Sequence, residues 1–483
     1  MPDPSPLVAP PPRPDRAVGR GVVVLLLGLG FYVLALASVA ACIGIVVGLA
    51  MSPQIPVKLM LLAAFAALAI VWGLLPRWRP FVAPGPRLRR EAEPRFFDWL
   101  DRIAQTARQA PPREVYLVPQ VNAFVTERRG FLGLGRTRIM GVGLPLLQSL
   151  SEAELGAVIG HELGHFAGGD VALGTWVFRI RNAILRVIQS MRSSIIVAPF
   201  VGYAKFFFRV SSGISREQEL AADAVSARVA GSRAAVSALG DGIRRATVHG
   251  HYLAGEVLPM ARAGFAAPVV AGWQQFTASP LAAEVRAELQ ASPEEPPGEY
   301  DTHPPTSERI AALLAHPHPG ALDLGDAPAV ALFDDFEACA RAVFEHLTEK
   351  KLAPLRWEEV PEKVLLPSYR AFARERRRAF DGRALGDLVD QHAGIAAALR
   401  AATPGISDDD VRRATAIVIM VALVDAGWSL DTAPGLPVIA RLGERSIDQR
   451  PLASLLATRS GPEWRRHCAD LGIDAVTIRL AAP

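Results

Sequence analysis

Two uncharged stretches near the start of the chain constrain its fold more than any other feature. Gly21–Ala50 holds no charged residue, and neither does Leu59–Leu75. A helix rises about 1.5 Å per residue, so about 20 apolar residues cross the hydrocarbon of a bilayer. The first stretch exceeds that length, and Val57–Leu75 reaches it with Lys58 snorkelling at its edge. Ser52-Pro53-Gln54-Ile55-Pro56 between them is a helix breaker, so a hairpin of two transmembrane helices is expected over residues 21–76. Two buried core helices would instead need polar faces or shorter runs. A cleaved leader is also disfavoured. Val39-Ala40-Ala41-Cys42 loosely resembles a lipoprotein cleavage box, but the apolar run continues through Ile43–Ala50 and a second span follows. Cys42 is then a small buried hydrophobe.

The flanking charges predict an orientation. Arg13, Arg16 and Arg20 precede the first span, and Arg77, Arg79, Arg87, Arg89 and Arg90 follow the second, whereas the connecting loop offers only Lys58. The positive-inside rule therefore places both outer ends, and everything downstream, on the cytoplasmic side of the cell (inner) membrane, as a multi-pass protein. Residues 1–20, rich in proline up to Pro14, are expected to be a disordered tail. A length of 483 residues allows two or three structural units. With 52 basic against 48 acidic residues the net charge is only +4, which argues against a nucleic-acid partner. Three widely separated cysteines (Cys42, Cys339, Cys468) fit neither a disulfide framework nor a thiolate zinc site.

Beyond an Arg/Pro-rich linker the periodicity predicts a helix over Pro94–Gln109 and strands over Glu114–Val118, Val121–Glu127 and Arg138–Val142. Gly130–Gly135 is glycine-rich, but a strand rather than a helix follows it, so it reads as a hairpin connection and not a dinucleotide loop. Ser151-Glu152-Ala153-Glu154 is a capping box, starting a helix that should end at Gly168-Gly169. Residues 171–193 form a basic amphipathic pattern. Ile195–Phe208 is apolar but only 14 residues long, with Pro199 and Lys205 inside it, so residues 171–210 are expected to associate with the membrane without a third full crossing. Pro280–Pro305 reads as a proline-rich surface loop. Residues 321–483 read as a helical region of unknown role, with a core helix at Ala414–Val424 behind a Ser407-Asp408 cap.

The strongest chemical signal is His161-Glu162-Leu163-Gly164-His165. On the helix that the capping box predicts, positions i and i+4 share a face, so both imidazoles can hold one ion while Glu162 takes a proton from an activated water. A catalytic zinc needs a further protein donor. Arg216-Glu217-Gln218-Glu219-Leu220-Ala221-Ala222-Asp223 offers Glu219 as that ligand and, one turn on, Asp223 to orient a ligand imidazole. Alone, this segment would read as a solvated acidic face with Arg216 paired to Glu219; beside the histidine pair it reads as half of a metal site.

Together, His161-Glu162-Leu163-Gly164-His165 and Glu219-Leu220-Ala221-Ala222-Asp223 resemble the M48 family of zinc metallopeptidases, in its HtpX-like and CAAX prenyl protease-like branches. Val121-Asn122-Ala123-Phe124 is similar to the family's Asn-Ala-Phe strand motif, and His303-Pro304-Pro305 with Arg309 is similar to its C-terminal His-Pro…Arg motif. The resemblance covers about residues 95–315 and does not reach the C-terminal region. It implies an α+β, zincin-like catalytic domain, mainly α with a small β-sheet, over residues 90–320 behind the transmembrane hairpin. It also implies one Zn2+ per chain held by His161, His165 and Glu219, with Glu162 as general base and Asp223 supporting a ligand. His303, with Arg309 nearby, would stabilise the oxyanion. Asn122, Ala123 and Phe124 would lie on a strand that holds an extended polypeptide substrate by β-augmentation, although a turn-forming Asn122 after Pro119 fits nearly as well.

The reading is a membrane-anchored zinc metalloendopeptidase acting on membrane or membrane-proximal polypeptides, with the lipid membrane itself as a partner. Two alternatives remain. A membrane-tethered scaffold with a structural zinc site would have no need of Glu162, and a CAAX-type prenyl-protein protease would need a many-helix chamber that this sequence does not supply.

Overall fold

The two apolar stretches fold as long helices, as expected. In this computed structural model, residues 14–51, 56–75, 81–129, 136–166, 171–191, 194–292 and 303–480 are described. The remainder of the N-terminal tail, the span-to-span turn at Ser52–Ile55, Arg77 and Arg79, the Gly130–Gly135 connection, the helix stop at Gly168-Gly169 and residues 293–302 lie outside them.

Helix α1 spans Pro14–Ala50 and α2 spans Val57–Leu74. Both are long and apolar enough to cross a membrane, and most of their surface faces outward. The helix starts earlier than the expected tail allowed: residues 14–20 belong to α1, because Pro14 at its first position brings a preset φ and no amide to satisfy. Helices α3 (Pro94–Thr106), α4 (Leu144–Ser149), α5 (Glu152–Gly164), α6 (Val171–Ser190), α7 (Ser194–Ala230) and α8 (Ser232–Ser237) follow. Strands β1 (Arg87–Leu88), β2 (Glu114–Val118), β3 (Ala123–Arg129) and β4 (Arg136–Gly143) form one sheet in the order β1-β2-β4-β3. β2 and β4 run parallel, while β3 pairs antiparallel with β4 and forms an edge.

Residues 195–208 are not a separate element. They are the first part of α7, a continuous 37-residue helix that carries Pro199. That proline removes one hydrogen bond in the second turn of the helix, which continues through it. Phe200, Ala204 and Phe207 of α7 and Val177, Ile180, Ile184 and Val187 of α6 share a buried cluster with Val24, Phe31, Ala35 and Ile70 of the apolar hairpin.

The capping box forms as expected. Ser151 Oγ accepts from the Glu154 amide, and Glu154 accepts from the Ser151 amide. Glu154 also accepts from both Arg245 Nη2 and Ser237 Oγ. Burial alone would raise the Glu154 carboxyl, but Arg245, Ser237 and the Ser151 amide hold it below its ordinary value. Stability from this group is therefore present above the unfolded carboxylate pKa and lost as pH falls through the depressed native one. We expect Glu154→Ala to lower stability by about 2–4 kcal/mol near neutral pH, the sum of a lost cap and lost charged hydrogen bonds. In denaturation series the gap to wild type should close as pH drops below about 4.5.

By internal contacts the chain forms two units, residues 1–246 with 293–334, and residues 247–292 with 335–483. Neither coincides with a domain over 90–320, because residues 247–292 group with the C-terminal residues. One correction falls in this second unit. Pro280–Ala291 is a helix, not loop: Ser279 caps the Ala282 amide and Pro280 occupies the first turn, which tolerates it. The helix Asp408–Asp425 is largely buried behind its Ser407 cap, as expected from its length. In the same unit His249 packs edge-on against Trp273, and burial pushes it down to about 3, so it stays neutral.

Candidate metal centre

A pair of glycines on α5 explains how the site closes. Gly160 and Gly164, four residues apart, lie on the α5 face that meets α7, while Gly156 faces Leu324 and Ile103. A Cβ on Gly160 would stand 3.3 Å from Val229 Cβ, and one on Gly164 would stand 2.9 Å from Ala222 Cα. Ser226 Oγ, in the same contact, donates to the Ala157 carbonyl at 2.7 Å. Helices α5 and α7 therefore touch almost backbone to backbone, which brings the acidic turn of α7 up to the histidines of α5. Glycine spacing was the sequence signal for this contact, and motif reading passed over it. Gly164→Ala should cost about 1–3 kcal/mol by overpacking and weaken metal binding by displacing Glu219. Gly44→Ala on α1, where nothing lies within 4 Å, is the control expected to change neither. Thermal denaturation and zinc titration check both.

Across this contact, one donor atom each from His161, His165 and Glu219 lie within 4.8 Å of one another. His161 Nε2 is 3.4 Å from Glu219 Oε2, and His165 Nε2 is 3.7 Å from Glu219 Oε1. Donors bound tetrahedrally at about 2.1 Å stand about 3.4 Å apart, so this set fits a zinc ion. A further observation agrees: Glu219 Oε2 is buried without a hydrogen-bond partner, a cost that a bound cation would remove. Among the described residues this is the one such group of three or more potential ligands.

Around these donors the charges are ordered. Asp223 Oδ1 accepts from His161 Nδ1 at 2.9 Å, which turns Nε2 toward Glu219. Arg309, on the helix Thr306–Ala315, grips Asp223 with two bonds, Nε to Oδ2 at 2.8 Å and Nη2 to Oδ1 at 2.6 Å. Arg309, expected near the oxyanion together with His303, is thus seen clamping Asp223. Burial would raise Asp223, but Arg309 and His161 hold it low, so it stays a carboxylate. His303 Nδ1 lies 2.9 Å from Glu219 Oε1, with its ring largely exposed. Glu219 is held well below the carboxylate range despite burial, chiefly by His161 and His303.

The two histidines diverge. Burial would lower His161, but Asp223 and Glu219 raise it to about 9; burial and the neighbouring His161 lower His165 to about 4. The field that favours a proton on His161 is the field that favours a cation between these donors. Glu162 is pushed up to about 7, mainly by burial, and it accepts from the Val125 amide of β3. The edge strand and the base are therefore neighbours. Ala123 and Phe124 lie on β3, with Phe124 packed over Gly141. Asn122 stands one residue before the strand in a turn: its amide donates to the Gln120 carbonyl, and its carbonyl accepts from the Gly143 amide.

The sequence profile of peptidase family M48 matches residues 93–316. Over 324 residues the chain is 28% identical to "Protease HtpX" of Stenotrophomonas maltophilia (strain K279a), covering 61% of this chain and 97% of that protein. It is 30% identical over 251 residues to "Protease HtpX homolog" of Thermodesulfovibrio yellowstonii (strain ATCC 51303 / DSM 11347 / YP87), covering 47% of this chain and 76% of the relative. No solved structure matches. Site, profile and relatives agree, and the chain belongs to peptidase family M48 as an HtpX-like, membrane-associated metallopeptidase.

Proposed function

We propose that the protein is a zinc-dependent endopeptidase of membrane or membrane-proximal polypeptides, anchored by α1 and α2 with its metal centre on the cytoplasmic side. The observation that carries this reading is the convergence of three donors, with no fourth among the described residues, beside a raised carboxyl. Catalytic zinc keeps one position open, and a structural site uses four protein ligands and no base. His161, His165 and Glu219 would hold the ion. Bound there, it would supply Lewis acidity toward a peptide carbonyl and toward water.

The protein's own groups do the rest. Glu162 takes the proton from the attacking water and returns it to the leaving amine. Its raised affinity for protons suits both steps near neutral pH. Asp223 fixes His161 in the tautomer that turns Nε2 to the ion, and Arg309 fixes Asp223. His303, whose Nδ1 lies 2.9 Å from Glu219, would donate from its other ring nitrogen to charge developing on the substrate carbonyl. The free edge of β3 offers backbone groups to an extended peptide. The orientation rests on the flanking arginines.

Metal analysis tests the reading. The purified chain should carry one zinc, lose peptidase activity with a chelator and regain it on adding zinc back. Protein that binds no stoichiometric zinc, or cleaves equally well without it, overturns the proposal.

A further inference from the structure

An arginine lodged among apolar helices is costly unless its guanidinium meets an acceptor, so each arginine of α6 needs a partner. Val177, Ile180, Ile184 and Val187 bury α6 in the cluster it shares with α1, α2 and α7. A Cβ on Gly28 would stand 2.1 Å from Ile180 Cδ1. At this point α6 therefore lies against α1 seven residues, about 10 Å, inside its uncharged stretch. Arg186 has its acceptor: Nε donates to the Gly73 carbonyl at 3.2 Å, at the end of α2, where helix carbonyls lack partners. Arg181 is placed differently. Its guanidinium lies over the Phe208 ring of α7 at 4.5 Å, and its Nη1 is buried without a hydrogen-bond partner among the described residues. A ring face attracts the charge but offers no oxygen to an N–H.

The four helices supply no countercharge. Residues 16–90 contain neither Asp nor Glu, and residues 171–216 contain neither, against six arginines and Lys205 in the second range. Asp170 is eleven residues before Arg181 and Glu217 nine after Phe208, at least about 13 Å along either helix axis. The surroundings of Arg181 are graded. From Ile180 the helix α6 runs inward, since Val187 meets Gly73 and Ser190 donates to the Ala69 carbonyl, four residues further into α2. Leu185, one turn inward of Arg181, is an exposed apolar side chain, and Arg209, next outward of Phe208 on α7, is exposed and basic.

We infer that Arg181 holds the phosphodiester of one anionic phospholipid at the seam of α6 and α7, with Arg209 beside the headgroup and Leu185 beside an acyl chain. An anionic oxygen is the acceptor that a guanidinium matches best. A basic seam between apolar helices recognises a lipid headgroup, which brings its own apolar tail, over a soluble anion that would have to leave water. Arg209 sets the preference for net negative headgroups, because it repels the cation of a choline. The inference rests on the membrane placement of these helices and is independent of the zinc chemistry.

The test counts bound lipid. Full-length protein is purified in a neutral detergent, stripped of lipid and titrated with phosphatidylglycerol or phosphatidylcholine, with native mass spectrometry as the readout. Wild type should hold one phosphatidylglycerol about tenfold or more tighter than phosphatidylcholine, and millimolar glycerol 3-phosphate should not displace it. Arg181→Gln should lower phosphatidylglycerol affinity about tenfold or more, whereas Arg186→Gln, on the same helix but already bonded to a carbonyl, should keep it. Arg181→Lys keeps the charge and so covers the case in which Arg181→Gln fails to fold; without the planar fork it should bind more weakly than wild type. Equal affinity for the two lipids, undiminished affinity in the Arg181 variants, an equal loss in Arg186→Gln, or displacement by glycerol 3-phosphate each overturns the inference.

Discussion

Glu162→Gln should reduce peptide-bond cleavage by 10²–10⁴-fold, about 3–5 kcal/mol of barrier, while the protein keeps one zinc per chain. The substitution is nearly isosteric and retains an acceptor for the Val125 amide, but it removes the group that takes and returns a proton. Burial pushes the Glu162 carboxyl up to about 7, close to the pH at which a group that must both accept and donate works best. Turnover of an unfolded membrane-anchored substrate, measured beside zinc content, checks this. A variant that retains wild-type turnover would show that Glu162 is not the base.

The second large effect should come from a residue that need not touch substrate. Asp223→Asn keeps the shape of the contact with Arg309 and can still accept from His161 Nδ1, but it removes the negative charge that makes His161 a better ligand. Supporting partners of this kind contribute about 10–100-fold to metal affinity or activity. We expect zinc affinity to fall in that range, measured by chelator competition. Arg309→Met should act in the same direction, because it leaves Asp223 buried and unclamped, and should cost stability as well, about 3–5 kcal/mol if the pair behaves as a buried one. If Arg309 served the oxyanion alone, Arg309→Met would lower turnover and leave zinc affinity unchanged. The bidentate contact with Asp223 predicts the opposite pattern.

Much of the site was legible because its chemistry is local. Two imidazoles four residues apart on a helix share a face whatever the surroundings, and Ser151 with Glu154 specifies where that helix starts. Glu219 and Asp223 were also legible as residue types one turn apart. What placed them was less visible. Gly160 and Gly164 carry no chemistry of their own, and their meaning depends on which helix packs against them. The pairing of Arg309 with Asp223 joins residues 86 positions apart and follows from no spacing rule. The Pro280–Ala291 helix was missed because prolines at 293, 296 and 297 coloured the whole segment, while Pro280 itself falls at a helix start, where it is favoured.

The sequence alone determined two helices apolar and long enough to cross a membrane and the helix that carries His161, Glu162 and His165, since each depends on hydrophobic length or on one helical turn. Only the tertiary structure decided that Arg309 holds Asp223, that the Val125 amide meets Glu162, and that one continuous helix, α7, runs from the apolar cluster to Glu219. These depend on helix packing and charge pairing between distant segments, where close approach of backbones and burial of charge, rather than local periodicity, set the geometry.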